Sequence, residues 1–269
     1  MTHLVGYGLA LCVGASLGLM GSGGSLLTVP VLVYLFRFDP VAGTAYSLFI
    51  VGATSLVGLT LRARSHKVNF PATLVFAVPS LFGVFLVRKY VIHSLPTRIP
   101  LPLGWSLERD ALLMSLFALV LLGAGIAMIS GGKAKASRKA SEEASGPGLN
   151  LPLIGSEGLA VGTLTGLVGA GGGFLIVPVL VLSAYVPMEA AVSTSLAIIT
   201  TQCLVGFLSD WSVMGRIHWP FLLAFTFLSI SGVFGGVYLA RYLSGKRLKK
   251  ALGGFMLVVA LGILGKEWW

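Results

Sequence analysis

The sequence GLMGSGGSLLTVP, residues 18–30, places four glycines and two serines within eight residues of a long apolar run. Glycine costs a helix about 1 kcal/mol relative to alanine, so a cluster this dense disfavours a continuous helix. A second stretch, GLVGAGGGFLIVP at residues 166–178, has the same glycine spacing and ends in the same Val-Pro. Both stretches therefore predict a break inside an apolar helix.

The composition around these stretches is that of a membrane protein. Of the 269 residues, 56% are hydrophobic and 10% are charged, and the mean hydropathy is +0.93. Soluble proteins carry about 25% charged residues, so one water-soluble core cannot bury this many apolar side chains. The apolar segments are continuous rather than alternating, which argues against a β-barrel. The opening MTHLVGYGLA lacks the basic region of a secretory signal peptide.

We predict an all-α polytopic membrane protein from the apolar segments. A helix needs about 20 residues to cross the hydrocarbon core. Segments 25–36 and 173–186, which directly follow the glycine clusters, are too short to do so. The ten apolar segments are 4–20, 25–36, 41–61, 70–92, 109–130, 151–168, 173–186, 188–209, 218–243 and 250–265.

The chain contains an internal duplication with a constant offset of 148 residues. After one inserted residue the offset is 149, so that Pro71 and Gly83 fall on Pro220 and Gly232. We predict a first transmembrane repeat at 1–130 and a second at 151–269. The tract 131–150 between them is polar and rich in Gly, Ser, Ala and Lys, which is typical of a flexible linker. The matching positions are Gly14, Gly18, Gly21, Gly23, Gly24 and Pro30, which fall on Gly162, Gly166, Gly169, Gly171, Gly172 and Pro178.

The distribution of Lys and Arg predicts how the two repeats are oriented. If each half had four plain spans, the two faces would carry 9 and 10 basic residues and would show no bias. If each half instead has a glycine-broken helical hairpin plus three transmembrane helices, one face collects twelve basic residues and the other seven. The richer face should be cytoplasmic. This predicts an inverted repeat with a cytoplasmic linker and both termini outside. The count treats Arg62 and Arg88 as loop residues.

The helix breaks predict an anion site. Non-helical backbone is tolerated at membrane depth only where it is buried in protein or lines a cavity. The short helix after each break begins with unpaired N–H groups and the positive end of its dipole, which together favour an anion. Two inverted hairpins would bring two such ends together near the midplane. The candidate substrate-binding residues are Gly21, Ser22, Gly23, Gly24, Ser25, Ser47, Gly169, Ala170, Gly171, Gly172, Gly173 and Ser195.

Some of the glycines have another explanation. Glycines in membrane helices commonly allow close helix packing, in small-xxx-small patterns. The pairs Gly14/Gly18 and Gly162/Gly166 have this spacing and are assigned to packing. The two clusters that follow them are too dense for packing alone, so they are assigned to the ligand loops.

The isolated polar residues are weaker evidence for the binding site than the glycine clusters are. Ser47 and Ser195 are equivalent in the repeat, but hydroxyls in membrane helices often bond their own backbone. Glu157 lies near the start of a span, where it could carry a proton or sit at the membrane interface. Asp210 and Arg216 lie near a span end, as expected for a solvated loop pair. Other hydroxyls and an amide that could complete the anion shell are Thr44, Ser193, Thr194, Thr200, Thr201 and Gln202.

The remaining residues favour neither catalysis nor a cofactor. Cys12 and Cys203 lie alone in apolar segments, as expected for small packed side chains. The four histidines have no metal-ligand spacing, and no nucleophile elbow, P-loop or HExxH motif is present. The net charge of +10 comes from loop residues that set topology and meet anionic lipid rather than nucleic acid. We expect a small anionic substrate and the lipid bilayer as partners, no metal, no cofactor and no enzyme activity; a homo-oligomer is left open.

The doubled pattern G-x3-G-x2-G-x-G-G-x4-V-P, at Gly14–Pro30 and Gly162–Pro178, resembles the TauE/SafE family of membrane proteins. The resemblance covers both repeats. It implies export of sulfite or of organosulfonates such as sulfoacetate across the bacterial inner membrane. The first repeat has Ser22 and Ser25 where the second has Ala170 and Gly173, so the site is expected to be asymmetric.

Two classes of function remain after this resemblance. The preferred one is a secondary transporter for a small sulfur oxyanion. The alternative is a passive anion channel on the same scaffold. A channel needs a continuous polar path, whereas the sparse polar residues favour one occluded site.

Overall fold

The computed structural model describes residues 2–21, 23–63, 70–92, 98–100, 106–130, 151–168, 171–182, 186–210, 217–240, 242–243 and 245–268. The helices of the first half are α1 (Thr2–Met20), α2 (Gly23–Pro30), α3 (Pro40–Ala63), α4 (Phe70–Leu86) and α5 (Arg109–Ser130). Those of the second half are α6 (Leu151–Val168), α7 (Gly173–Leu182), α8 (Met188–Ser209), α9 (Trp219–Ala240) and α10 (Gly245–Trp268). The predicted all-helical class is confirmed, apart from a small hairpin of strands β1 (Arg98–Pro100) and β2 (Ser106–Glu108).

Two helices continue as π-helix. The segment Val31–Leu35 extends α2, and Val87–Ile92 extends α4. Pro30 has no N–H and so leaves a backbone carbonyl unpaired, which is consistent with the wider π turn that follows it. The extension of α4 contradicts the expectation that Arg88 lies in a loop.

Among the described residues, five helices are long and apolar enough to cross a membrane, so the chain is a multi-pass membrane protein. They are Pro40–Arg62, Thr73–Val91, Ala111–Ser130, Met188–Ser209 and Trp219–Ala240. Three further apolar helices are shorter, namely Gly6–Met20, Gly24–Leu35 and Ile154–Val168, and these belong to the glycine-broken parts of the chain.

Both predicted breaks are present, and glycine backbone makes them. Gly21 has φ +72°, while Gly171 and Gly172 have φ +68° and +64°. Residues with a β-carbon rarely adopt this left-handed conformation. After the first break the chain folds back along α1, because Gly24 packs against the carbonyl of Val13 and the side chain of Leu17. Helices α1 and α2 therefore form a hairpin.

Glycines bring α1 against α9 and α6 against α4. A β-carbon at Gly14 would lie 1.7 Å from the carbonyl oxygen of Ser229, and one at Gly162 would lie 2.1 Å from that of Ser80. One turn further along, Gly18 meets Val233 and Gly166 meets Val84. Both helices of each pair thus advance in the same direction and are parallel. The predicted packing role of these four glycines is confirmed.

The centre of the molecule is the pair α3 and α8, which run antiparallel. Gly52 meets Cys203, and Gly58 meets Leu196. Helices α5 and α10 are also antiparallel, since Gly125 meets Leu257 while Gly253 meets Ile129. In each pair, the two helices are equivalent in the repeat.

The start of α1 and the end of α10 lie at the same face of the molecule. The ring of Phe36, at the end of the first hairpin, reaches Gly6 near the start of α1. The ammonium of Lys266 in the last turn of α10 lies 4.3 Å from the ring centroid of Tyr34. We call this the terminal face. Because α5 runs opposite to α10, α5 ends at the other face, called the linker face; the predicted linker itself lies outside the described residues.

The Gly14→Ala variant should lose stability, because the new methyl group would collide with the backbone of Ser229 rather than with a flexible side chain. Overpacking of this kind costs about 1–3 kcal/mol. The matched control is Gly8→Ala in the same helix, where nothing lies within 4 Å of the new β-carbon. Denaturant titration of the purified proteins should show a lower midpoint for Gly14→Ala only. Equal midpoints would contradict the close α1–α9 packing.

Candidate functional site

The second break lies between the middles of the two central helices. A β-carbon at Gly171 would lie 2.6 Å from Cys203 Sγ, 3.2 Å from Val51 Cγ1 and 3.8 Å from Ile199 Cγ2. Val51 is near the midpoint of α3, and Ile199 is near the midpoint of α8. The glycine backbone is therefore held at the centre of the transmembrane pair, where a side chain would not fit.

The first break lies against the early part of α8. A β-carbon at Gly21 would lie 2.6 Å from Val192 Cγ1 and 3.2 Å from Ser195 Oγ. The two short helices that follow the breaks also pack on each other. Leu26, one turn into α2, and Phe174, the second residue of α7, belong to the same buried cluster. The first turns of both short helices thus share one core.

The two equivalent serines differ in their hydrogen bonds. Ser195 Oγ donates to the carbonyl of Val192 at 2.8 Å, so its proton is used within its own helix. Ser47 is fully buried, and its Oγ has no hydrogen-bond partner. Ser47 lies one helical turn before Val51 on the same face of α3, and Val51 contacts the second break. Of these two serines, Ser47 is therefore the one whose hydroxyl is not used in a hydrogen bond.

The other predicted site residues are distributed as follows. Gly24 faces α1 and serves the packing of the first hairpin. Gly23 and Gly173 are the first residues of α2 and α7, and Ser25 is fully buried in the first turn of α2. The predicted residues Ser22, Gly169 and Ala170 lie outside the described residues.

Several hydroxyls of α3 and α6 bond their own backbone, as membrane hydroxyls often do. Thr54 donates to the carbonyl of Ile50 at 2.6 Å, and Thr165 donates to that of Val161 at 2.6 Å. A hydrogen bond of 2.9 Å between Ser55 Oγ and Thr200 Oγ1 links α3 to α8. Sequence reasoning had named Thr200 but not Ser55 or Thr165.

Arg62 is buried rather than exposed in a loop, which corrects the expectation from sequence. It lies in the last turn of α3 and is 6% exposed. Its Nη2 donates to the carbonyls of Gly18 at 2.7 Å and Leu19 at 3.1 Å. The last carbonyls of a helix lack partners and carry partial negative charge. Arg62 therefore caps α1 directly before the first break, and Glu189 of α8 adds a favourable electrostatic interaction.

Asp210 is also buried, so its predicted role in a solvated loop pair is wrong. Its carboxylate accepts a hydrogen bond from Arg88 Nη1, and both side chains are 1% exposed. The parallel packing of α4 and α8 brings the two residues together at the C-terminal end of α8. Arg216 lies outside the described residues. The repeat could have indicated that Asp210 has a structural role, because Asp210 is equivalent to the capping residue Arg62.

Glu157 lies seven residues into α6 and is partly buried. Its Oε2 is buried without a hydrogen-bond partner. Both the proton-carrying and the interfacial interpretations stay open. In the part of the chain that the structure describes, no group of three or more His, Cys, Asp or Glu residues could hold a metal ion.

Comparison with known proteins identifies the family. The model of the sulfite exporter TauE/SafE family matches residues 7–263. The chain belongs to the TauE/SafE family. The expected family membership and the membrane-transport class are thereby confirmed.

Curated relatives of this TauE/SafE protein cover almost the whole chain. A probable membrane transporter protein of Xylella fastidiosa (strain Temecula1) is 27% identical over 95% of this chain and 92% of its own length. One from Methanocaldococcus jannaschii is 25% identical over 96% of this chain and 93% of its own length. The Bacillus subtilis protein YunE, also a probable membrane transporter, is 24% identical over 97% and 95%. No solved structure matches.

Removing one partner of the Arg88–Asp210 pair should strongly destabilise the protein. Arg88→Met or Asp210→Leu leaves the other residue as an uncompensated buried charge, which costs about 3–5 kcal/mol. The double variant removes both charges and should recover most of this loss. Thermal unfolding of the three variants in detergent measures the effect. Single variants as stable as the parent would contradict a buried ion pair.

Proposed function

We propose that this protein is a secondary transporter that exports a small sulfur oxyanion, either sulfite or an organosulfonate such as sulfoacetate. We place it in the bacterial inner membrane. The anion would be held near the membrane midplane by the N-termini of α2 and α7. The sulfite class rests on the family description, and the bacterial membrane rests on relatives from Xylella and Bacillus.

One observation carries this proposal: the Gly171 break contacts the middles of both α3 and α8. Free backbone at this depth is stable only when something satisfies it. A helix N-terminus offers N–H donors and a positive dipole end to an anion. The hydroxyl of Ser47, buried without a partner on the same face of α3 as Val51, supplies a further donor.

Two arginines are buried in the described part of the chain, and both have partners outside the proposed site, which favours a site built from neutral donors. Arg62 donates to the end of α1, and Arg88 pairs with Asp210. Neutral donors bind an anion without a fixed positive charge beside it. Weaker binding of this kind suits a transporter, because the substrate must also leave the site.

The inverted repeat is part of the proposal, and helix directions support it. The equivalent pairs α3/α8 and α5/α10 are antiparallel. The packing of α1 on α9 is the counterpart of the packing of α6 on α4, with Gly14 on Ser229 matching Gly162 on Ser80. A two-fold axis along the membrane normal would leave equivalent spans parallel. An axis in the membrane plane gives antiparallel equivalents, as in many transporters with inverted repeats.

Counterflow in proteoliposomes tests the transport class. Vesicles loaded with unlabelled sulfite should transiently accumulate external ³⁵S-sulfite above its equilibrium level, because a carrier exchanges substrate across the membrane. Sulfoacetate, thiosulfate and sulfate loaded in parallel identify the preferred anion. Tracer that only equilibrates, without an overshoot, would favour the passive channel instead. No uptake of any of the four anions would contradict the proposal.

The Ser47→Ala variant should weaken anion binding about ten- to a hundredfold. A hydrogen bond to a charged group is worth about 1.5–3 kcal/mol, and about 1.4 kcal/mol is tenfold in affinity. The control is Thr28→Val, since the Thr28 hydroxyl already donates to the carbonyl of Gly24 at 2.7 Å. Calorimetric titration with the anion found by counterflow measures both. Equal affinities for Ser47→Ala and the parent would show that the Ser47 hydroxyl does not bind the anion.

Cysteine labelling tests the orientation. In a background with Cys12 and Cys203 replaced by serine, Lys266→Cys at the terminal face should react with an impermeant thiol reagent added to intact cells. Ser141→Cys in the predicted linker should react only after the membrane is permeabilised. We expect this because the excess of basic residues on the linker side predicts that the linker is cytoplasmic. Labelling of both cysteines from outside would contradict the inverted repeat.

A further inference from the structure

Gln202, which the sequence analysis names among the groups that could complete the anion shell, has a buried amide that the glycine breaks and the helix packing do not explain. It lies in α8 and is fully buried. Its Nε2 donates to the hydroxyl of Ser80 on α4, and its Oε1 has no hydrogen-bond partner. Buried polar atoms in proteins are nearly always hydrogen-bonded, so an unpaired end of a buried amide needs an explanation.

The unpaired end of this amide faces the second break. A β-carbon at Gly172 would lie 3.1 Å from Gln202 Oε1 and 2.2 Å from Thr165 Oγ1. Any side chain at position 172 would therefore collide with Thr165 and crowd the amide of Gln202. Thr165 cannot satisfy Oε1, because its proton is donated to Val161. The unpaired end of the amide thus lies close to the backbone of Gly172 at the second break.

The contact with Ser80 can be made with either end of the amide. A hydroxyl both donates and accepts, whereas the oxygen and nitrogen of a glutamine amide have nearly the same shape. If the amide is turned over, the Ser80 hydroxyl donates to Oε1 and the NH₂ group points towards Gly172. This arrangement satisfies Ser80 equally well, and it presents two N–H donors to the break.

We propose that Gln202 is a ligand of the transported anion, positioned by Ser80, with its NH₂ group donating to an oxygen of an oxyanion beside Gly172. This inference rests on the proposed function, because it concerns the same site. It adds a side chain from α8 to the backbone donors of the second break. A neutral, directional N–H donor is suited to the oxygen of an oxyanion, and it adds no permanent charge to the site.

The repeat makes this feature specific to the second half. The residue equivalent to Gln202 is Thr54, whose hydroxyl is bonded within its own helix, and the residue equivalent to Ser80 is Ser229. The first break carries Ser22 and Ser25 in its own sequence, where the second has Ala170 and Gly173. The sequence of the first half therefore has two serines at its break, whereas the second half has an amide from a neighbouring helix.

Calorimetric titration of the purified full chain with sulfite tests the role of Gln202. Gln202→Leu removes the donor and should weaken binding about ten- to a hundredfold, the effect of losing one hydrogen bond to a charged group. Gln202→Glu keeps the shape but replaces the donor by a negative charge, and should weaken binding at least as much. The matched control Thr54→Val should bind like the parent. Ser80→Ala should weaken binding less than Gln202→Leu, since it only frees the amide to move.

The outcomes separate this inference from the proposed function. Parent-like affinity in Gln202→Leu, or parent-like or tighter binding in Gln202→Glu, would overturn the role of Gln202 as a donor. If both variants aggregate, Gln202→Asn decides. The asparagine side chain keeps the amide but is too short to reach Gly172, so this variant should bind sulfite at least about tenfold more weakly than the parent. Parent-like binding by Gln202→Asn would overturn the inference. A loss of affinity in Ser47→Ala without one in any Gln202 variant would overturn this inference alone. A parent protein that binds none of the four anions overturns both.

Discussion

The need to satisfy backbone groups inside a membrane constrains the rest of this structure. Each half interrupts an apolar helix at glycines, and hydrocarbon offers no partner for the freed N–H and C=O groups. The protein places the second break between the middles of α3 and α8, and the first break against the early part of α8. At the first break, the guanidinium of Arg62 donates hydrogen bonds to the carbonyls at the end of α1. In the proposed function, the N–H groups at the starts of the short helices bind the anion.

Buried charge follows the same constraint. A charge at membrane depth is costly unless it is paired or bonded to backbone, and both buried arginines meet that condition. Arg62 binds helix carbonyls, and Arg88 binds Asp210. They sit near opposite faces, because α3 and α8 are antiparallel and each carries its charged residue at its C-terminal end. The middle of this pair is left to neutral groups such as Ser47 and Gln202.

The two halves use one scaffold in two ways. Their helices pack in equivalent pairs, yet the polar groups differ at matching positions. The first half has a cationic cap where the second has an ion pair, and a backbone-bonded Thr54 where the second has Gln202. A duplicated framework can keep its glycine contacts while its polar side chains diverge, because Gly14 and Gly162 pack on backbone carbonyls.

The sequence by itself determined the helices, the breaks and the duplication, because these depend on local chemistry. Apolar runs, dense glycine and a constant offset can all be read along the chain. Only the tertiary structure decided which polar residues meet. Arg88 with Asp210 and Ser80 with Gln202 are both separated by 122 residues, and both follow from the parallel register of α4 and α8. Sequence could not give that register, because in a lipid bilayer the side chains that face lipid and those that face protein are both apolar. No polar stripe then marks which face of a helix meets its neighbour.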